Sequence, residues 1–409
     1  MTRNHLWPTN QPLSDSDFGP RALALALDQV LSDPNAANPS LVSLLSACDL
    51  LASWLRTPGN SSDPLYRSLL SELQKSGLKS DEATATLRQI TDFLDRQSLS
   101  TKVSRELGPE RGFSEPGVLT RKDPRKSELE AWAPLGLLVQ ILPSNSPGLG
   151  FLSLIEGLLA GNICFIKLSA SDDLSSLLLA QALFNQDSTG TIRARTFLSR
   201  FSSARKDCLQ ALLSRADGVA AWGSAQAVAG VRSLTPLHAR WIEWGPRISL
   251  ILADPNLPKD QMDKIAQEIC LGEQQACSSP QIVYCLQTSD PDSDVERAGL
   301  SPVLRGFAAK LAEAMDRISP ATRATLAPSE PERTEIRLVT ELVCEEAALG
   351  FTELLEADDR SWRLLVDRRP ELRASPLFRT VWVKPVSLSA LARVFRPMRW
   401  FLQTVGLAL

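Results

Sequence analysis

Four short stretches of the sequence carry side chains that could do chemistry, and the strongest nucleophile among them is a cysteine. Cys277 lies within GEQQACSSPQ (272–281), among small and amide side chains near the end of a predicted helix. A lone cysteine is usually an inert core residue, whereas a reactive thiol must be accessible and lie near a cation or dipole that favours the thiolate. The polar neighbours of Cys277 suit an accessible thiol, so the residues leave both roles open.

Two other stretches combine a predicted strand end with a turn. In ILPSNSPGLG (141–150), Asn145 could offer its side-chain amide to a developing oxyanion, although the residues alone favour an ordinary turn. In VAAWGSAQAVAG (219–230), Gly223 and Ser224 precede a predicted helix, whose first N–H groups could bind an anion. The full G-x-G-x-x-G fingerprint is absent, so neither stretch identifies a ligand by itself.

Two charged residues complete this set. Lys167 ends a predicted strand in FIKLSASDD and could bind a ribose hydroxyl or a phosphate, although a surface lysine is the commoner case. Outside the four stretches, Glu243 in RWIEWGPRISL could act as a base for the Cys277 thiol if the fold brings the two together. Its alternative role is a solvated carboxylate beside Arg240 or Arg247.

Composition excludes several classes of protein. The chain has 409 residues, is 44% hydrophobic and carries a formal net charge of -3, which allows two or three domains and argues against nucleic acid or an anionic membrane as a partner. The N-terminus lacks the apolar run of a secretory signal. The longest apolar region, 135–168, is interrupted by polar side chains, so we expect no membrane span.

The numbers of cysteines and histidines argue against several kinds of site. The seven cysteines include no C-x-x-C pair, and the odd count in a large chain argues against a disulfide framework and favours a reducing cytoplasm. His5 and His238 are the only histidines. This shortage argues against a Cys–His dyad and a His-rich metal site, and we expect no metal.

Hydrophobic periodicity divides the chain into three parts. The first part is residues 1–105. Apolar residues at helical spacing between 21 and 98 predict that it is a helical N-terminal region, which we expect to pack on the next domain. Residues 106–257 alternate short buried strands with helices, which is typical of a Rossmann-like α/β domain with a parallel sheet. Residues 258–409 begin with two predicted helices and form the third part, which contains Cys277.

The ordered set of stretches resembles the aldehyde dehydrogenase superfamily, and most closely the LuxC-type acyl-CoA reductases of bacterial bioluminescence systems. The resemblance covers roughly 100 to 385 and is carried by WAPLGLLVQILPSNSPGLG, GLLAGNICFIKLSASD and EQQACSSPQIVY. An ordered set of motifs is stronger evidence than an isolated one. It implies an aldehyde dehydrogenase-like fold, with a cofactor domain followed by an α/β catalytic domain.

The resemblance implies catalytic roles for particular residues. Cys277 matches the nucleophile and Gln275 the amide position that precedes it. Asn145 matches the asparagine that helps to hold the oxyanion. Glu243 matches the general-base glutamate, followed by Gly245 in a shortened form of the family's Glu-Leu-Gly-Gly motif.

The resemblance also implies a nicotinamide cofactor site. Lys167 matches the lysine that contacts the cofactor ribose, and Gly223 with Ser224 matches the start of the pyrophosphate-binding helix. Where relatives usually carry a carboxylate after this lysine, the chain has Ser169 and Ala170. Without that carboxylate a ribose 2′-phosphate is not repelled, which favours NADPH.

Three features depart from the family pattern. Val228 stands where a second pyrophosphate glycine is expected, and Pro376 stands two residues before Phe378 where a glutamate is expected. Relatives continue beyond the apolar segment FLQTVGLAL, so we expect the third part to be truncated at its C-terminus, although a terminal segment docked on the core is the alternative.

The implied reaction is the NADPH-dependent reduction of a fatty acyl-CoA or acyl-carrier thioester to the aldehyde through an acyl-Cys277 intermediate. The implied partners are this substrate and an acyl-protein synthetase, and a homo-oligomer is left open. The expected C-terminal truncation and the departures at Val228 and Pro376 are also compatible with a non-catalytic relative that binds acyl groups or a synthetase partner. A third alternative is a reductase for an acyl phosphate, which would use the same residues.

Overall fold

The computed structural model forms two compact units, which are Met1–Gly245 and Pro246–Leu409. The structure describes residues 4–8, 17–33, 39–57, 62–76, 78, 80–107, 133–143, 147–288, 299–320, 322 and 327–409. The candidate Asn145 lies outside the described residues.

The first unit is built on a sheet whose order is β1-β4-β3-β2-β5-β6, and all its pairs are parallel except that of β1 with β4. Its strands are β1 (His5–Leu6), β2 (Leu137–Ile141), β3 (Ile163–Leu168), β4 (Thr196–Arg200), β5 (Gly218–Trp222) and β6 (Arg240–Trp244). Side chains alternate between the faces of a strand. Cys164 and Ile166 of β3 therefore join one core, while Ile163 and Phe165 join the core on the opposite face.

Helices cover both faces of this sheet. They are α1 (Pro20–Leu31), α2 (Leu41–Arg56), α3 (Pro64–Lys75), α4 (Ser80–Phe93), α5 (Arg96–Leu107), α6 (Leu149–Leu159), α7 (Ser175–Gln186), α8 (Thr191–Ala194), α9 (Lys206–Leu213) and α10 (Ala225–Arg232). The apolar stripes of α2 to α5 share one core with α6, α7 and β3. Local caps fix where these helices begin, since Ser40 accepts a hydrogen bond from the Ser43 N–H and Asp63 accepts one from the Leu65 N–H.

The second unit has a sheet of order β12-β7-β8-β11-β10-β9, in which only the β9–β10 pair is antiparallel. Its strands are β7 (Ile248–Ala253), β8 (Pro280–Gln287), β9 (Thr352–Glu356), β10 (Arg363–Asp367), β11 (Thr380–Ser387) and β12 (Leu402–Ala408). The helices are α11 (Lys259–Cys270), α12 (Pro302–Ile318), α13 (Glu330–Ala347) and α14 (Leu391–Phe395). The α11 and α12 helices pack in one core with β8, β10 and β11, and a second core includes residues of α13 and α14.

The parallel α/β architecture expected from the sequence is confirmed. The division between units falls at Gly245/Pro246, earlier than the expected boundary at 257, because β7 pairs with β8 and β12 in the second sheet. The segment FLQTVGLAL (401–409) contains all of β12, which pairs with β7 in the parallel direction. Strand β1 was not predicted, because a strand of two residues is too short to show an alternating pattern.

Among the described residues, no helix combines the length and apolar character needed to cross a membrane.

Close packing of α6 on β3 gives a stability prediction. A Cβ at Gly157 would lie 2.5 Å from Cys164 Sγ and 3.0 Å from Gln140 Nε2, and both of these side chains are buried. We expect Gly157→Ala to lower the free energy of unfolding by about 1–3 kcal/mol, since overpacking forces neighbours to move. Chemical denaturation measures this change.

Gly230→Ala is the matched control. A Cβ at Gly230 in α10 meets no atom within 4 Å, so this variant should keep or slightly raise stability because alanine favours the helix. Equal stability of the Gly157→Ala variant and the parent would contradict the packing described for α6.

Candidate active site

The carboxyl ends of β2 and β5 form the switch point of the first sheet. The chain leaves β2 toward β3 on one side, whereas β5 pairs with the other side of β2. In open α/β sheets, ligands bind in the crevice beyond such a point. Gly223 and Ser224 follow β5 directly, so the structure places these two predicted residues at the edge where a nucleotide is expected.

The turn from β5 into α10 depends on the glycine. Gly223 has a φ of 143°, a conformation that favours glycine, and its N–H donates to the Trp244 carbonyl oxygen at 3.3 Å. The rings of Trp222 and Trp244 stack with centroids 6.0 Å apart. Ser224 is the N-cap of α10, and its hydroxyl accepts a hydrogen bond from the Ala227 N–H at 3.3 Å. The remaining N–H groups of the first turn can bind an anion.

Lys167 ends β3 on the same carboxyl edge, but its side chain is buried and only 1% exposed. Its ammonium group donates to the Ser203 hydroxyl at 2.7 Å and lies 5.2 Å from the centre of the Phe201 ring. Burial lowers the pKa of Lys167 to about 8, and the charge of Asp172 acts in the opposite direction. Because an ammonium group has three N–H donors, a cofactor hydroxyl or phosphate can bind Lys167 beside Ser203 or in its place.

Asp172 is an acidic residue near Lys167 that no sequence motif indicates. Burial raises the pKa of Asp172 to about 7, the Asp173 carboxylate raises it further, and Arg200 and Lys167 lower it. The Asp172 N–H donates to the Ser169 carbonyl oxygen at 3.1 Å, which curls the chain back toward β3. Both residues lie in FIKLSASDD, five positions apart. Only the turn after β3 brings the Asp172 carboxyl close enough to Lys167 for their charges to interact.

Ser169 is half-buried, and its hydroxyl lies 3.0 Å from the Ser171 hydroxyl. Glu243 is exposed on β6 and accepts a hydrogen bond from Trp241 Nε1 at 3.2 Å. The bond between Gly223 and Trp244 joins the strand of Glu243 to the Gly223 turn. Gly223, Ser224 and the strand of Glu243 are thus brought together within the first unit.

Cys277 lies in the second unit, in the segment 271–279 between α11 and β8 (the Cys277 loop), and its side chain is exposed. Gln403 Nε2 of β12 donates to Cys277 Sγ at 3.0 Å, and the Ser249 hydroxyl of β7 donates to the Cys277 carbonyl oxygen at 2.7 Å. The predicted accessible thiol is present, and residues from two other strands hold it. Gln403 was missed because it lies more than a hundred residues away in sequence.

The loop begins with an unusual run of left-handed backbone. Gly272, Glu273 and Gln274 have φ angles of 55°, 56° and 61°. The buried Gln274 side chain donates to the Pro280 carbonyl oxygen at 2.8 Å, which ties the start of the loop to its end. This backbone positions Gln275 and Cys277 at the amino-terminal end of β8.

A second left-handed turn, Leu377–Arg379, precedes β11 and lies beside the first. The Phe378 N–H donates to the Glu273 carbonyl oxygen at 3.1 Å, and the Arg379 guanidinium forms a buried ion pair with the Glu273 carboxylate. Pro376, which replaces the expected glutamate, is buried immediately before this turn. Glu273, Phe378 and Arg379 also line one end of a cavity of about 770 Å³ beside α13.

Comparison with known proteins identifies the family. A family model described as acyl-CoA reductase (LuxC) matches residues 57–409. The chain belongs to the acyl-CoA reductase (LuxC) family. The resemblance inferred from the three motifs is therefore confirmed.

Curated relatives carry the same description at modest identity. The long-chain acyl-protein thioester reductase of Aliivibrio fischeri is 26% identical over 258 residues, which are 62% of this chain and 50% of that protein. The reductase of the same description from Vibrio harveyi is 30% identical over 153 residues, which are 37% of this chain and 32% of that protein. The chain thus spans at most about half the length of these relatives.

Solved structures confirm the aldehyde dehydrogenase-like fold. The NAD-dependent benzaldehyde dehydrogenase of Corynebacterium glutamicum superposes with a TM-score of 0.62 at 13% identity, covering 100% of this chain and 90% of that one. Proline utilization A of Bradyrhizobium japonicum gives a TM-score of 0.65 at 15% identity, covering 95% of this chain and 38% of that one. Identities this low establish the fold of the LuxC-family chain and nothing about its substrate.

The exposure of the seven free cysteines gives a direct labelling prediction. Cys277 and Cys344 are exposed, and the other five are buried. Burial also raises the pKa of Cys48 and Cys285 to about 12, which suppresses the reactive thiolate. We expect iodoacetamide to alkylate only Cys277 and Cys344 in the native protein, as read by peptide mass spectrometry.

The fully denatured chain should react at all seven cysteines and serves as the control. Native-state labelling of Cys48 or Cys164 at a rate similar to that of Cys277 would contradict the burial of these two thiols.

Proposed function

We propose that this chain catalyses NADPH-dependent reduction of a long-chain fatty acyl thioester to the aldehyde through a covalent acyl-Cys277 intermediate. The observation that carries the proposal is the exposed Cys277 thiol in a loop tied to β7 and β12, within a chain of the LuxC family. The relatives' description as long-chain acyl-protein thioester reductases supports the substrate class. The donor is coenzyme A or a carrier protein, and an acyl-protein synthetase is the proposed partner.

The first half-reaction transfers the acyl group to the protein. The Cys277 thiolate attacks the thioester carbonyl carbon, a new C–S bond forms, and the donor thiol leaves with a proton. The Gln403 amide, which donates to Sγ at 3.0 Å, stabilises negative charge on this sulfur. Since a thioester is exchanged for a thioester, this step needs no other source of free energy.

Hydrogen bonds to the developing oxyanion lower the barrier of the acyl-transfer step. The Cys277 N–H and the Asn145 side chain are the proposed donors, and one such donor contributes about 3 kcal/mol in comparable enzymes. Ser249 holds the Cys277 carbonyl at 2.7 Å and so restricts the peptide plane at this residue. For Glu243 we retain the role that the family resemblance implies, as the base that activates Cys277 and returns a proton to the leaving thiol.

The second half-reaction reduces the acyl-Cys277 thioester. When bound, NADPH supplies the hydride that the acyl carbon accepts. Cys277 then leaves as a thiolate when the tetrahedral species collapses, and the aldehyde is released. Because no hydrolytic water takes part in this direction, the loop needs only to hold Sγ and the oxyanion donors in place.

The cofactor assignment rests on the carboxyl edge of the first sheet. Gly223 and the first turn of α10 suit a pyrophosphate, and Lys167, with Ser169 beside it, suits the adenosine ribose and a 2′-phosphate. An ionised carboxylate close to the ribose would favour NADH instead. Asp172 disfavours a 2′-phosphate only weakly at neutral pH, because its pKa is raised to about 7 and its carboxyl is not fully ionised there. The seven free cysteines support a reducing cytoplasm as the site of the reaction.

The nucleophile is tested by replacing Cys277 with alanine. We expect this variant to keep its fold and melting temperature but to lose both acyl-enzyme formation from labelled palmitoyl-CoA and NADPH oxidation. Cys344→Ala is the matched control, because Cys344 is the other exposed thiol and should be dispensable. Acyl-enzyme formation is read by mass spectrometry of the intact chain.

Two results would contradict this assignment. Labelling of the Cys277→Ala variant would assign the chemistry to another cysteine. An unmodified parent that nevertheless binds the acyl-CoA would support the alternative of a non-catalytic acyl-binding relative, with which Val228 and Pro376 are compatible.

The cofactor site predicts a pH dependence. Below pH 7, Asp172 is largely neutral and Lys167 is charged, since their pKa values are about 7 and about 8. Raising the pH from 6 to 9 first charges Asp172 and then neutralises Lys167, and both changes disfavour an anionic ligand. We expect NADPH affinity to fall roughly tenfold over this range, the equivalent of one charge-assisted hydrogen bond, as measured by fluorescence titration.

Variants separate the two titrating groups. Asp172→Asn should remove the part of the pH dependence near pH 7, and Lys167→Ala should weaken NADPH binding more than NADH binding. Equal affinities for the two cofactors in the parent and in Lys167→Ala would show that this edge does not bind a 2′-phosphate.

A further inference from the structure

The Glu273–Arg379 ion pair is buried more completely than an ordinary surface pair. Glu273 is 8% exposed and Arg379 is 1% exposed. Arg379 Nε donates to Glu273 Oε2 at 2.9 Å, and Nη2 donates to Glu273 Oε1, so the contact is bidentate. A buried pair of this kind often adds little net stability compared with apolar residues of similar size. Stability alone is therefore a poor explanation for its presence.

The remaining donors of Arg379 extend the contact to a third element. Nη1 donates to the Ser319 carbonyl oxygen at 2.8 Å and to the Ser319 hydroxyl at 2.7 Å, and Nη2 donates to the Thr322 carbonyl oxygen at 2.7 Å. Every N–H direction of the guanidinium has an acceptor. The segment after α12 thus fixes Arg379, and Arg379 in turn fixes Glu273.

Strained backbone is concentrated at this junction. Of the six described non-glycine residues with positive φ, five lie in the two turns that the pair joins, namely Glu273, Gln274, Leu377, Phe378 and Arg379. Left-handed conformations of non-glycine residues persist only where several surrounding contacts hold the backbone in place. The bidentate pair, together with the Phe378 N–H bond to the Glu273 carbonyl oxygen at 3.1 Å, supplies that constraint.

The constrained turn leads directly to the nucleophile. Glu273 precedes Cys277 by four residues, and the Gln275 N–H bonds back to the Gly272 carbonyl oxygen at 3.0 Å. Rotation at Glu273 would therefore displace the backbone that carries the Cys277 N–H and Sγ. Ser249 and Gln403 hold Cys277 itself, so the pair fixes the entry to a loop whose tip is fixed separately.

We propose that Glu273 and Arg379 are positioning residues, whose buried ion pair locks the left-handed entry of the Cys277 loop and so orients the thiol for attack on the acyl carbon. This role rests on the proposed function of Cys277. Both residues act through the loop backbone rather than by touching the substrate.

The test compares two neutralised buried pairs. The first is Glu273→Gln with Arg379→Gln, which removes the ion pair without leaving an unpaired buried charge. The matched control is Asp367→Asn with Lys384→Gln, because Asp367 and Lys384 form another buried pair of the same unit, each with a side chain 2% exposed and joined at 3.1 Å. The partners of that pair are Arg369 and its carbonyl oxygen, which lie outside the Cys277 loop.

Single-turnover transfer from palmitoyl-CoA to Cys277 is the first readout. A misplacement of about 1 Å can slow a reaction roughly 100-fold, so we expect about this loss in the first variant and less than about threefold in the control, with kcat reduced and KM little changed. A similar loss in both variants, or none in the first, would overturn the proposal. Melting temperatures show whether the two variants are comparably destabilised.

Hydrogen exchange at the amides of 272–279 is the second readout, and it needs no substrate. We expect these amides to exchange at least about tenfold faster in the first variant than in the parent or the control, since local opening exposes them. Unchanged exchange would overturn the positioning role even if the parent forms no acyl-enzyme. Failure of the parent to acylate would instead refute the proposed function, so the two failures are distinguishable.

A milder variant covers the case in which the double replacement does not fold. Arg379→Lys keeps the charge but lacks the bidentate guanidinium, and it should slow acyl transfer about tenfold while retaining the fold. A Lys variant that transfers the acyl group at the parent rate would show that the fork geometry of Arg379 is not needed, which contradicts the proposal.

Discussion

A guanidinium that is 1% exposed must find an acceptor for each of its N–H groups, and Arg379 meets this requirement by holding three segments of the second unit together. Its acceptors come from the Cys277 loop and from the segment after α12, while its own backbone lies in the turn before β11. The left-handed conformations of both turns accompany these bonds. In the proposed positioning role, this buried charge holds the entry of the loop that carries the exposed thiol.

The first unit uses buried charge in a different way. Lys167 lies on the apolar face of β3 that carries Phe165, and burial there lowers its pKa to about 8. Asp172 returns to it through a tight turn and is itself buried, so its pKa rises to about 7. Both groups thus titrate close to neutral pH. The net charge at this edge of the sheet therefore changes near neutral pH, and the change should alter the affinity for a phosphorylated cofactor.

The reaction proposed from membership of the LuxC family uses both the Cys277 loop and the Lys167 edge of the first sheet. In the proposed reaction the acyl group moves from one sulfur to another and is then reduced, so the protein must orient Sγ and an oxyanion rather than activate water. The Cys277 loop fits that need, because Ser249, Gln403 and the Glu273–Arg379 pair hold it from separate elements. Val228 is buried within α10 and Pro376 is buried beside the Phe378 turn, so both departures from the family pattern are accommodated within the packing of their own unit.

The sequence by itself determined the parallel α/β architecture, the helical N-terminal region and the family, because these depend on hydrophobic periodicity and on motifs that are contiguous in the chain. It also indicated Cys277, Lys167, Gly223, Ser224 and Glu243 as candidate site residues. Only the tertiary structure decided that β7 belongs to the second sheet, that the charges of Asp172 and Lys167 interact, and that Gln403 and Arg379 form contacts with the Cys277 loop. The physical reason is that hydrogen bonds and charge interactions act over a few ångströms in space. Arg379 lies 106 residues from Glu273 and Gln403 lies 126 residues from Cys277, and no local pattern in the sequence records contacts of that kind.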